Sequence, residues 1–491
     1  MKNLSYKTLE ELNFNEYLLK EGKERILQFG EGNFLRAFVD YFVDVMNEKA
    51  DFNTKVVIAQ PISHGLCNMI NEQDGLYTLY LRGNEKGQKI NEKRVISSVS
   101  RCINPYDEYN KFLELAKGED IRIIVSNTTE AGIVFEPSCK FDDAPPSSFP
   151  AKLTRFMYER FKDNNKGFII LSCELIDDNG KELLKCVIDY AKLWKLEDKF
   201  IEWIKNENIF CSTLVDRIVT GYPKLEADEL CKELGYKDNL IVTAETFGFW
   251  VIEGPSSLEN ELPFKEAGLP VIITDNHKPY KERKVRILNG AHTSMVLGAY
   301  LAGFDIVRDC MNDKIVTDFM NKAIFEEIIP TLSLPKDELL EFANSVKDRF
   351  NNPYIDHKLL DISLNSTSKL KARILPTLKD YIVKFNKLPE CLVASFAFYI
   401  AFYKGEILKE NALIAKRKNE EYKIMDDLNV IRFFFDNKTL STGELVREAC
   451  KNVNFFGENL TEITGFYDMV LKDINIILSD GAYSLLEKLV K

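Results

Sequence analysis

The apolar pattern of this 491-residue chain changes character near residue 280. Before that point, short apolar runs typical of buried strands alternate with stretches of helical periodicity. This alternation is typical of an α/β fold in which helices cover both faces of a mostly parallel sheet. Beyond residue 280 the periodicity is almost wholly helical. The sequence therefore predicts two domains, an α/β domain over residues 1–279 and a mostly α-helical domain over residues 280–491.

A glycine turn follows the first strand of the predicted sheet. Arg25 to Gly30 (RILQFG) predicts a buried strand, Gly30 to Asn33 a turn, and Phe34 to Lys49 a helix. In this order, backbone N–H groups and the start of the helix face an anion such as a pyrophosphate. Leu35 stands where the motif G-x-G-x-x-G has its third glycine, so the motif alone only weakly indicates a dinucleotide site.

Further strands complete the first domain. Lys55 to Pro61 (KVVIAQP) predicts the second strand, and Gln60 stands near its end, where folds that select NAD usually have an acid for the ribose hydroxyls. Leu76 to Arg82 and Val95 to Ile103 predict a hairpin across residues 84–88, inserted into the domain. The other predicted strands are Arg122–Asn127, Gly167–Glu174, 239–254 and 268–276.

Two polar segments are candidate binding regions. Thr129 and Glu130 follow a predicted parallel strand, where such folds place cofactor contacts, although a helix cap or a turn would have the same composition. Lys369 and Arg373 belong to a basic segment of the second domain. They could hold a substrate carboxylate, or they could be solvated charges at the start of a helix.

Lys284, Asn289 and His292 are spaced five and then three residues apart in a predicted helix. At about 100° per residue, the three fit within an arc of roughly 140° on one face. A lysine can exchange a proton with a carbonyl or alcohol oxygen, an amide can hydrogen-bond that oxygen, and an imidazole can orient the substrate. The alternative is an ordinary solvated polar face. The apolar residues around the three favour a helix buried on most sides, whose polar groups need partners.

Composition excludes several classes of partner. The 65 basic and 76 acidic residues give a net charge of −11, which argues against a nucleic acid or an anionic membrane but not against a small anionic substrate. The ten cysteines are scattered, and the N-terminus lacks the apolar core of a signal peptide, so we expect a cytoplasmic protein with reduced thiols. The longest apolar run, Cys391 to Tyr403, is short of the roughly 20 residues of a membrane span. No histidine motif predicts a metal site, and no pattern indicates an oligomeric state.

The pattern Lys284-x4-Asn289-x2-His292 resembles the catalytic signature of the polyol-specific long-chain dehydrogenases, the mannitol dehydrogenase family. Four segments carry the resemblance across nearly the whole chain: QFGEGNFLRAFVD at 28–40, SNTTEAG at 126–132, CSTLVDRIVTGYP at 211–223 and KPYKERKVRILNGAH at 278–292. The resemblance implies a Rossmann-type dinucleotide-binding domain followed by a helical substrate domain. It also implies NAD as cofactor and a metal-independent reaction.

The resemblance implies roles for individual residues. Lys284 would be the general acid and base, Asn289 would stabilise the developing alkoxide, and His292 would bind a substrate hydroxyl. Asp216 would lie near the substrate, although a buried structural ion pair with Arg217 is the alternative. The family's G-x-G-x-F-x-R pattern is present, and the implied cofactor-binding residues are Phe29, Gly30, Glu31, Gly32, Asn33, Phe34, Leu35, Arg36, Thr129 and Glu130.

One departure from the family pattern concerns the oxyanion site. Members that act on sugar alcohols often have an asparagine just after the S-C-acid triplet, but here Leu175 follows Glu174. Asn179 lies a few residues further on, and its position alone does not make it a substitute. Asn289 is therefore the better-supported amide.

The resemblance implies the NAD-dependent, reversible reduction of the hexuronate tagaturonate to altronate in hexuronate catabolism. Reduction of fructuronate to mannonate is the nearest alternative, because no motif distinguishes the two stereochemistries. A mannitol or mannitol phosphate dehydrogenase is a further alternative, in which the basic segment around Lys369 would hold phosphate. A regulator that binds NADH without catalysis is a hypothesis of another class, and the intact set of Lys284, Asn289 and His292 argues against it.

Overall fold

The computed structural model describes residues 1–85, 87–129 and 131–491. The chain divides into two compact units. The first contains Met1–Gly83 and Ile90–His277, and the second contains Asn84–Lys89 and Lys278–Lys491.

Two sheets are formed by the strands that precede residue 278. These strands are β1 (Lys23–Phe29), β2 (Thr54–Ala59), β3 (Tyr77–Glu85), β4 (Gln88–Ile96), β5 (Val99–Ile103), β6 (Ile123–Ser126), β7 (Ile169–Ser172), β8 (Ile209–Asp216), β9 (Val219–Gly221), β10 (Val242–Ala244), β11 (Phe249–Glu253) and β12 (Val271–Thr274). The main sheet has the order β12-β11-β8-β7-β6-β1-β2-β5, and the smaller sheet has the order β4-β3-β10-β9. Among the described strand pairs of the main sheet, only β8–β11 is antiparallel. The predicted mixed α/β fold is confirmed.

Helices cover the main sheet, and each face has its own core. The helices are α1 (Tyr6–Glu11), α2 (Asn33–Ala37), α3 (Val39–Lys49), α4 (Cys67–Glu72), α5 (Tyr109–Glu114), α6 (Phe149–Asp163), α7 (Asn179–Leu193), α8 (Asp198–Glu207) and α9 (Ala227–Leu234), with a 3₁₀ turn at Ser256–Asn260. Ile26 and Ile58 belong to one apolar cluster, whereas Leu27 and Val57 belong to the other. Alternate side chains of one strand therefore enter opposite cores, as in a sheet covered on both sides.

A hairpin is present as predicted, but the residues predicted for its second strand are wrong. The structure pairs β3 with β4, and the segment Val99–Ile103 is a separate strand that lies parallel to β2 in the main sheet. Two serines divide the predicted strand. The Ser97 N–H and Oγ donate to Asp44 Oδ1 at 2.8 and 3.0 Å, and Ser98 Oγ donates to the Asp40 carbonyl at 2.8 Å. These two serines are therefore hydrogen-bonded to α3, and the chain passes at this point from the smaller sheet to the main sheet.

The second unit is mainly helical, and its described residues include three π-helical segments. Its helices are α10 (Lys278–Arg283), α11 (Gly290–Ala302), α12 (Val307–Asn312), α13 (Lys314–Asn321), α14 (Lys336–Phe350), α15 (Leu359–Ile362), α16 (Ser366–Lys369), α17 (Leu375–Phe385), α18 (Glu390–Phe402), α19 (Leu428–Asp436), α20 (Thr442–Lys451), α21 (Val453–Phe456), α22 (Phe466–Asp480) and α23 (Ala482–Val490). The π segments are Lys284–Asn289, Lys322–Ile328 and Leu370–Ile374, and 3₁₀ turns lie at Ile329–Thr331 and Leu460–Glu462.

Two helices that are apolar on every side form the centre of this unit. Helices α11 and α18 contact each other, and nearly all of their residues are buried. A helix that is hydrophobic all round belongs in a core rather than at a surface. Among the described residues no helix is both long enough and apolar enough to cross a membrane.

A small antiparallel sheet in this unit has no counterpart in the sequence analysis. It consists of β13 (Ile407–Lys409), β14 (Ala412–Arg417) and β15 (Glu420–Ile424). Leu413 and Ala415 are buried, whereas all three residues of β13 are exposed. Strands this short have too few apolar positions for their alternation to be recognised in the sequence.

Candidate active site

The glycine turn after β1 has a backbone that only glycine adopts readily. Gly30 has a φ of +124°, and a Cβ there would lie 3.0 Å from the Asn127 carbonyl oxygen and 3.2 Å from Leu35 Cδ1. The Leu35 side chain therefore occupies the space that a third glycine would leave. A Cβ on Gly32 would meet no described atom within 4 Å, so the backbone of the turn is open to close approach by a ligand.

Several predicted cofactor-binding side chains are directed into the protein. The side chains of Phe29 and Leu35 are in the apolar cores, so only their backbone atoms could contact a dinucleotide. Arg36 is 2% exposed and donates to the Glu31 and Leu240 carbonyls at 3.1 and 2.6 Å. It also donates to Asn33 Oδ1 at 2.8 Å. The Arg36 guanidinium therefore fixes the shape of the turn, and its predicted contact with the cofactor stays a prediction.

Polar groups converge at the carboxyl end of β6. The buried Glu174 carboxylate accepts hydrogen bonds from Ser126 Oγ, from the Thr128 N–H and from Thr128 Oγ1 at 3.0–3.1 Å. Burial raises the pKa of Glu174, and these donors oppose that effect. Thr129 has a φ of +72°, a strained conformation for a β-branched residue and one that clusters at functional sites. Glu130 lies outside the described residues.

The predicted catalytic helix is π-helical where its lysine and asparagine lie. In a π-helix each N–H bonds to the carbonyl five residues earlier, and the Gly290 N–H accordingly donates to the Val285 carbonyl. Residues five apart, such as Lys284 and Asn289, are therefore neighbours on one face. His292 follows in α11 at α-helical spacing, within about 60° of Asn289. The three residues thus share a narrower face than an uninterrupted α-helix would provide.

His292 is buried in an aromatic and cationic environment. Its ring stacks on Phe350 with a centroid distance of 3.9 Å and an interplanar angle of 8°, and it meets the His357 ring edge-on at 5.4 Å. Burial lowers the pKa of His292 well below its usual range, and the electrostatic effects of His357, Arg373 and other nearby basic side chains lower it further. The imidazole is therefore neutral at physiological pH. Its Nε2 atom is buried and has no hydrogen-bond partner among the described residues, so a ligand hydroxyl would satisfy it.

Lys369 and Arg373 lie close to this histidine. Both contribute to lowering the His292 pKa, and Arg373 Nη1 donates to Thr293 Oγ1 at 3.4 Å. Burial lowers the pKa of Lys369, with a further contribution from Arg373, and burial also lowers the pKa of Arg373 itself. Lys369 Nζ donates to the Ile362 carbonyl at 2.7 Å, and neither cation forms an ion pair with any described residue. The structure therefore brings His292, Lys369 and Arg373 together.

Phe350 and His357 lie at this site but were not predicted from the sequence. Phe350 is the last residue of α14, and His357 lies in the connection that follows it. No local spacing relates them to His292, because their contact depends on how separate helices pack. The only signal in the sequence was that His357 is one of four histidines in the chain.

Comparison with known proteins identifies the family. The family model described as Mannitol dehydrogenase Rossmann domain matches residues 24–266. The model described as Mannitol dehydrogenase C-terminal domain matches residues 276–478. The chain belongs to the mannitol dehydrogenase family. It is 46% identical over 484 residues to an altronate oxidoreductase of Escherichia coli O7:K1 (strain IAI39 / ExPEC). That alignment covers 96% of this chain and 98% of the relative. It is 47% identical over 477 residues to an altronate oxidoreductase of Enterobacter sp. (strain 638), with 95% and 97% coverage.

Two solved dehydrogenase structures have the same fold. The Pseudomonas fluorescens mannitol 2-dehydrogenase, in a ternary complex with NAD and D-mannitol, aligns with a TM-score of 0.69 and 22% identity over 100% of this chain and 99% of its own. A D-sorbitol dehydrogenase in substrate-free form aligns with a TM-score of 0.79 and 20% identity over 98% of this chain and 100% of its own. At these identities the likeness is one of fold.

Asn179 does not replace the asparagine that many family members have after the S-C-acid triplet. Its Nδ2 donates to the Glu174 and Thr213 carbonyls at 2.9 and 3.0 Å. Its Oδ1 accepts from the Gly180 and Thr213 N–H groups, both at 2.9 Å. This buried amide is fully used in joining the start of α7 to β8. Leu175, at the family's asparagine position, is 64% exposed.

The V-D-R-I segment of this dehydrogenase is largely buried. Asp216 is the last residue of β8 and is 5% exposed. Arg217 donates to the carbonyls of Ala37, Phe247 and Thr246 at 2.7, 2.9 and 3.2 Å. The arginine therefore has a structural role, and the proposed place of Asp216 near the substrate stays a prediction.

One group of side chains in the first unit has the composition of a metal site. Ligand atoms of Asp178, Glu253 and His277 lie within 4.8 Å of one another. No local pattern in the sequence predicts this group, because its members come from three separate segments. Lys181 Nζ lies 2.9 Å from both Asp178 Oδ1 and Glu253 Oε1. The lysine ammonium already forms ion pairs with both carboxylates, and a metal-independent reaction stays our prediction.

Proposed function

We propose that this chain catalyses the reversible, NAD-dependent reduction of tagaturonate to altronate. The observation that carries the choice of substrate is the 46% identity to an altronate oxidoreductase over 96% of the chain. Family membership supports the broader class, a dehydrogenase that acts on CH–OH groups. The second unit supports the acidic substrate, because it holds two partly buried cations beside the candidate catalytic helix.

The glycine turn fits a dinucleotide. The open backbone at Gly32 and the left-handed Gly30 leave room for a pyrophosphate at the end of β1. Arg36 stabilises this conformation from beneath. The bound nicotinamide would supply or accept the hydride, and the protein would provide position and proton transfer.

Lys284, Asn289 and His292 would act on the oxygen atoms of the substrate. In the direction of reduction, Lys284 donates a proton to the carbonyl oxygen as the carbon is reduced, and in oxidation it takes the proton back. The Asn289 side-chain amide donates a hydrogen bond to the same oxygen as negative charge develops there. His292 Nε2, which is buried without a partner, hydrogen-bonds a neighbouring hydroxyl and fixes the sugar chain.

Lys369 and Arg373 would hold the carboxylate of the hexuronate. Each has lost part of its hydration through burial, and neither forms an ion pair with a described carboxylate, although the charge of Asp426 partly opposes the effect of burial on the pKa of Lys369. A bound carboxylate would relieve the repulsion between the two cations and accept charge-assisted hydrogen bonds. A neutral polyol would offer no such compensation, which favours a sugar acid.

The assay that tests this proposal is NADH oxidation with tagaturonate and with fructuronate, each repeated with NADPH. We expect kcat/KM to favour tagaturonate by at least about a hundredfold, because a site built to hydrogen-bond one hydroxyl arrangement leaves polar groups unpaired with the other. A preference for fructuronate would retain the lysine chemistry but assign the sister activity. NADH binding without turnover of any hexuronate or polyol would contradict the proposal and favour a regulator.

Replacing Arg373 by methionine should raise the KM for tagaturonate by about ten- to a hundredfold with little change in kcat. The reason is that a hydrogen bond between a cation and a carboxylate typically contributes about 1.5–3 kcal/mol, and here it would form equally in the ground and transition states. Lys369→Met should act in the same direction. Lys371→Met is the matched control, because Lys371 is exposed on the same π-helical segment. An unchanged KM in both variants would exclude the carboxylate role.

A further inference from the structure

The end of β2 lacks the acidic residue that commonly distinguishes NAD from NADP. Gln60 stands there and is 2% exposed. Its Nε2 donates to the Ile62 carbonyl at 2.8 Å, and its Oε1 accepts from the Cys67 N–H at 3.2 Å. Gln60 is therefore held by its own loop and by the start of α4. An uncharged amide in this state gives no electrostatic discrimination against a 2′-phosphate.

The carboxylate of Glu31, from the glycine turn after β1, lies at the end of β2 beside Gln60. Glu31 is the second residue of the glycine turn and is 8% exposed. A Cβ on Gly65 would lie 2.1 Å from Glu31 Oε1 and 2.5 Å from Gln60 Oε1, so both oxygen atoms converge on Gly65. The Leu66 N–H also donates a hydrogen bond to the Glu31 carboxylate. Glu31 thus lies against the loop that follows β2, beside Gln60.

We propose that Glu31 takes over the role of the missing acid and selects NAD over NADP. This inference rests on the proposed dinucleotide-dependent function and adds a specificity-determining residue to it. The Glu31 carboxylate would accept a hydrogen bond from a ribose hydroxyl and would repel a 2′-phosphate.

The surroundings of Glu31 favour discrimination by repulsion. The nearby Arg36 guanidinium is already directed to the Glu31 and Leu240 carbonyls and to Asn33, so it is engaged away from a phosphate. Burial raises the pKa of the Glu31 carboxyl, while backbone N–H groups and the charge of Arg36 favour its ionised form. The binding comparison therefore belongs at about pH 8, well above the ordinary pKa of a glutamate.

The test is the direct binding of NADH and of NADPH, followed by nucleotide fluorescence, to the full chain and to Glu31→Gln. The intact protein should bind NADH more tightly. The variant should bind NADPH at least about tenfold more tightly than the intact protein does, because a like-charge contact is removed. It should also bind NADH more weakly, because an amide is a poorer acceptor than a carboxylate. Glu72→Gln is the control, since Glu72 is an exposed residue of α4 and its loss changes the net charge equally.

A measurement on the intact protein keeps the inference testable if Glu31→Gln does not fold. The ratio of the NADPH and NADH dissociation constants should fall as ionic strength rises, because salt screens the repulsion. An unchanged ratio in Glu31→Gln, or a ratio in the intact protein that does not fall with salt, would overturn the role of Glu31. Failure to bind either nucleotide would instead contradict the proposed function itself.

Discussion

Replacing Lys284 by alanine should reduce kcat for tagaturonate reduction by about 10²–10⁴-fold, the usual contribution of a positioned general acid or base. The KM and the binding of NADH should change little, because Lys284 is proposed to act on the reacting oxygen and not to hold the substrate carboxylate. Single-turnover measurement of NADH oxidation would separate the chemical step from product release.

Chemical rescue would distinguish lost proton transfer from a structural effect. Small primary amines should restore part of the turnover of Lys284→Ala, since they can enter the space left by the side chain and donate the proton. Lys281→Ala is the control, because Lys281 lies in α10 just before the π-helical segment. Turnover of Lys284→Ala within about threefold of the unmodified enzyme would exclude the general acid role.

Replacing Asn289 by alanine should lower kcat by about 10²–10³-fold, as does the loss of one donor from other oxyanion sites. The effect should fall on kcat and on kcat/KM together, because the hydrogen bond strengthens only as charge develops on the oxygen. Small amines should give no rescue, which separates this variant from Lys284→Ala.

Two comparisons make the Asn289 result specific. Asn344→Ala, at an exposed position of α14, should leave kcat unchanged. Asn179→Ala should destabilise the protein, because both of its amide groups bond to backbone. An undiminished kcat in Asn289→Ala would require another group to stabilise the alkoxide.

The fold was largely predictable from sequence because its signals are local. The strand before Gly30 and the glycine turn have short-range patterns, and the structure places strand β1 and a left-handed glycine there. The single helix predicted over Phe34–Lys49 is in fact two, α2 and α3, because Phe38 interrupts it with a φ of −125°. The hydrophobic periodicity of the sequence does not reveal such a break, since the apolar face continues across it.

The site was less predictable because it depends on hydrogen-bond register and on partners distant in sequence. The spacing of Lys284, Asn289 and His292 is the same in a π-helix as in an α-helix, so the sequence could not distinguish them. The stacking of Phe350 on His292 likewise requires the packing of two helices. The carboxylate of Glu31 beside Gln60 is a third example, since β1 and β2 meet there only in the folded sheet.

The π-helical segment Lys284–Asn289 makes the alignment of the catalytic residues depend on the geometry of one helical turn as well as on side-chain identity. A π-helical turn is equivalent to an α-helical turn with one residue inserted. If the same residues formed an uninterrupted α-helix, His292 would be turned by about 90° about the axis relative to α10. Every catalytic side chain would still be present, yet they would no longer share one narrow face. Removing one residue between Lys284 and Asn289 would instead let the helix return to α geometry with His292 turned by only about 10°. Within this family, a one-residue gap at this point is therefore compatible with the same alignment of the catalytic side chains.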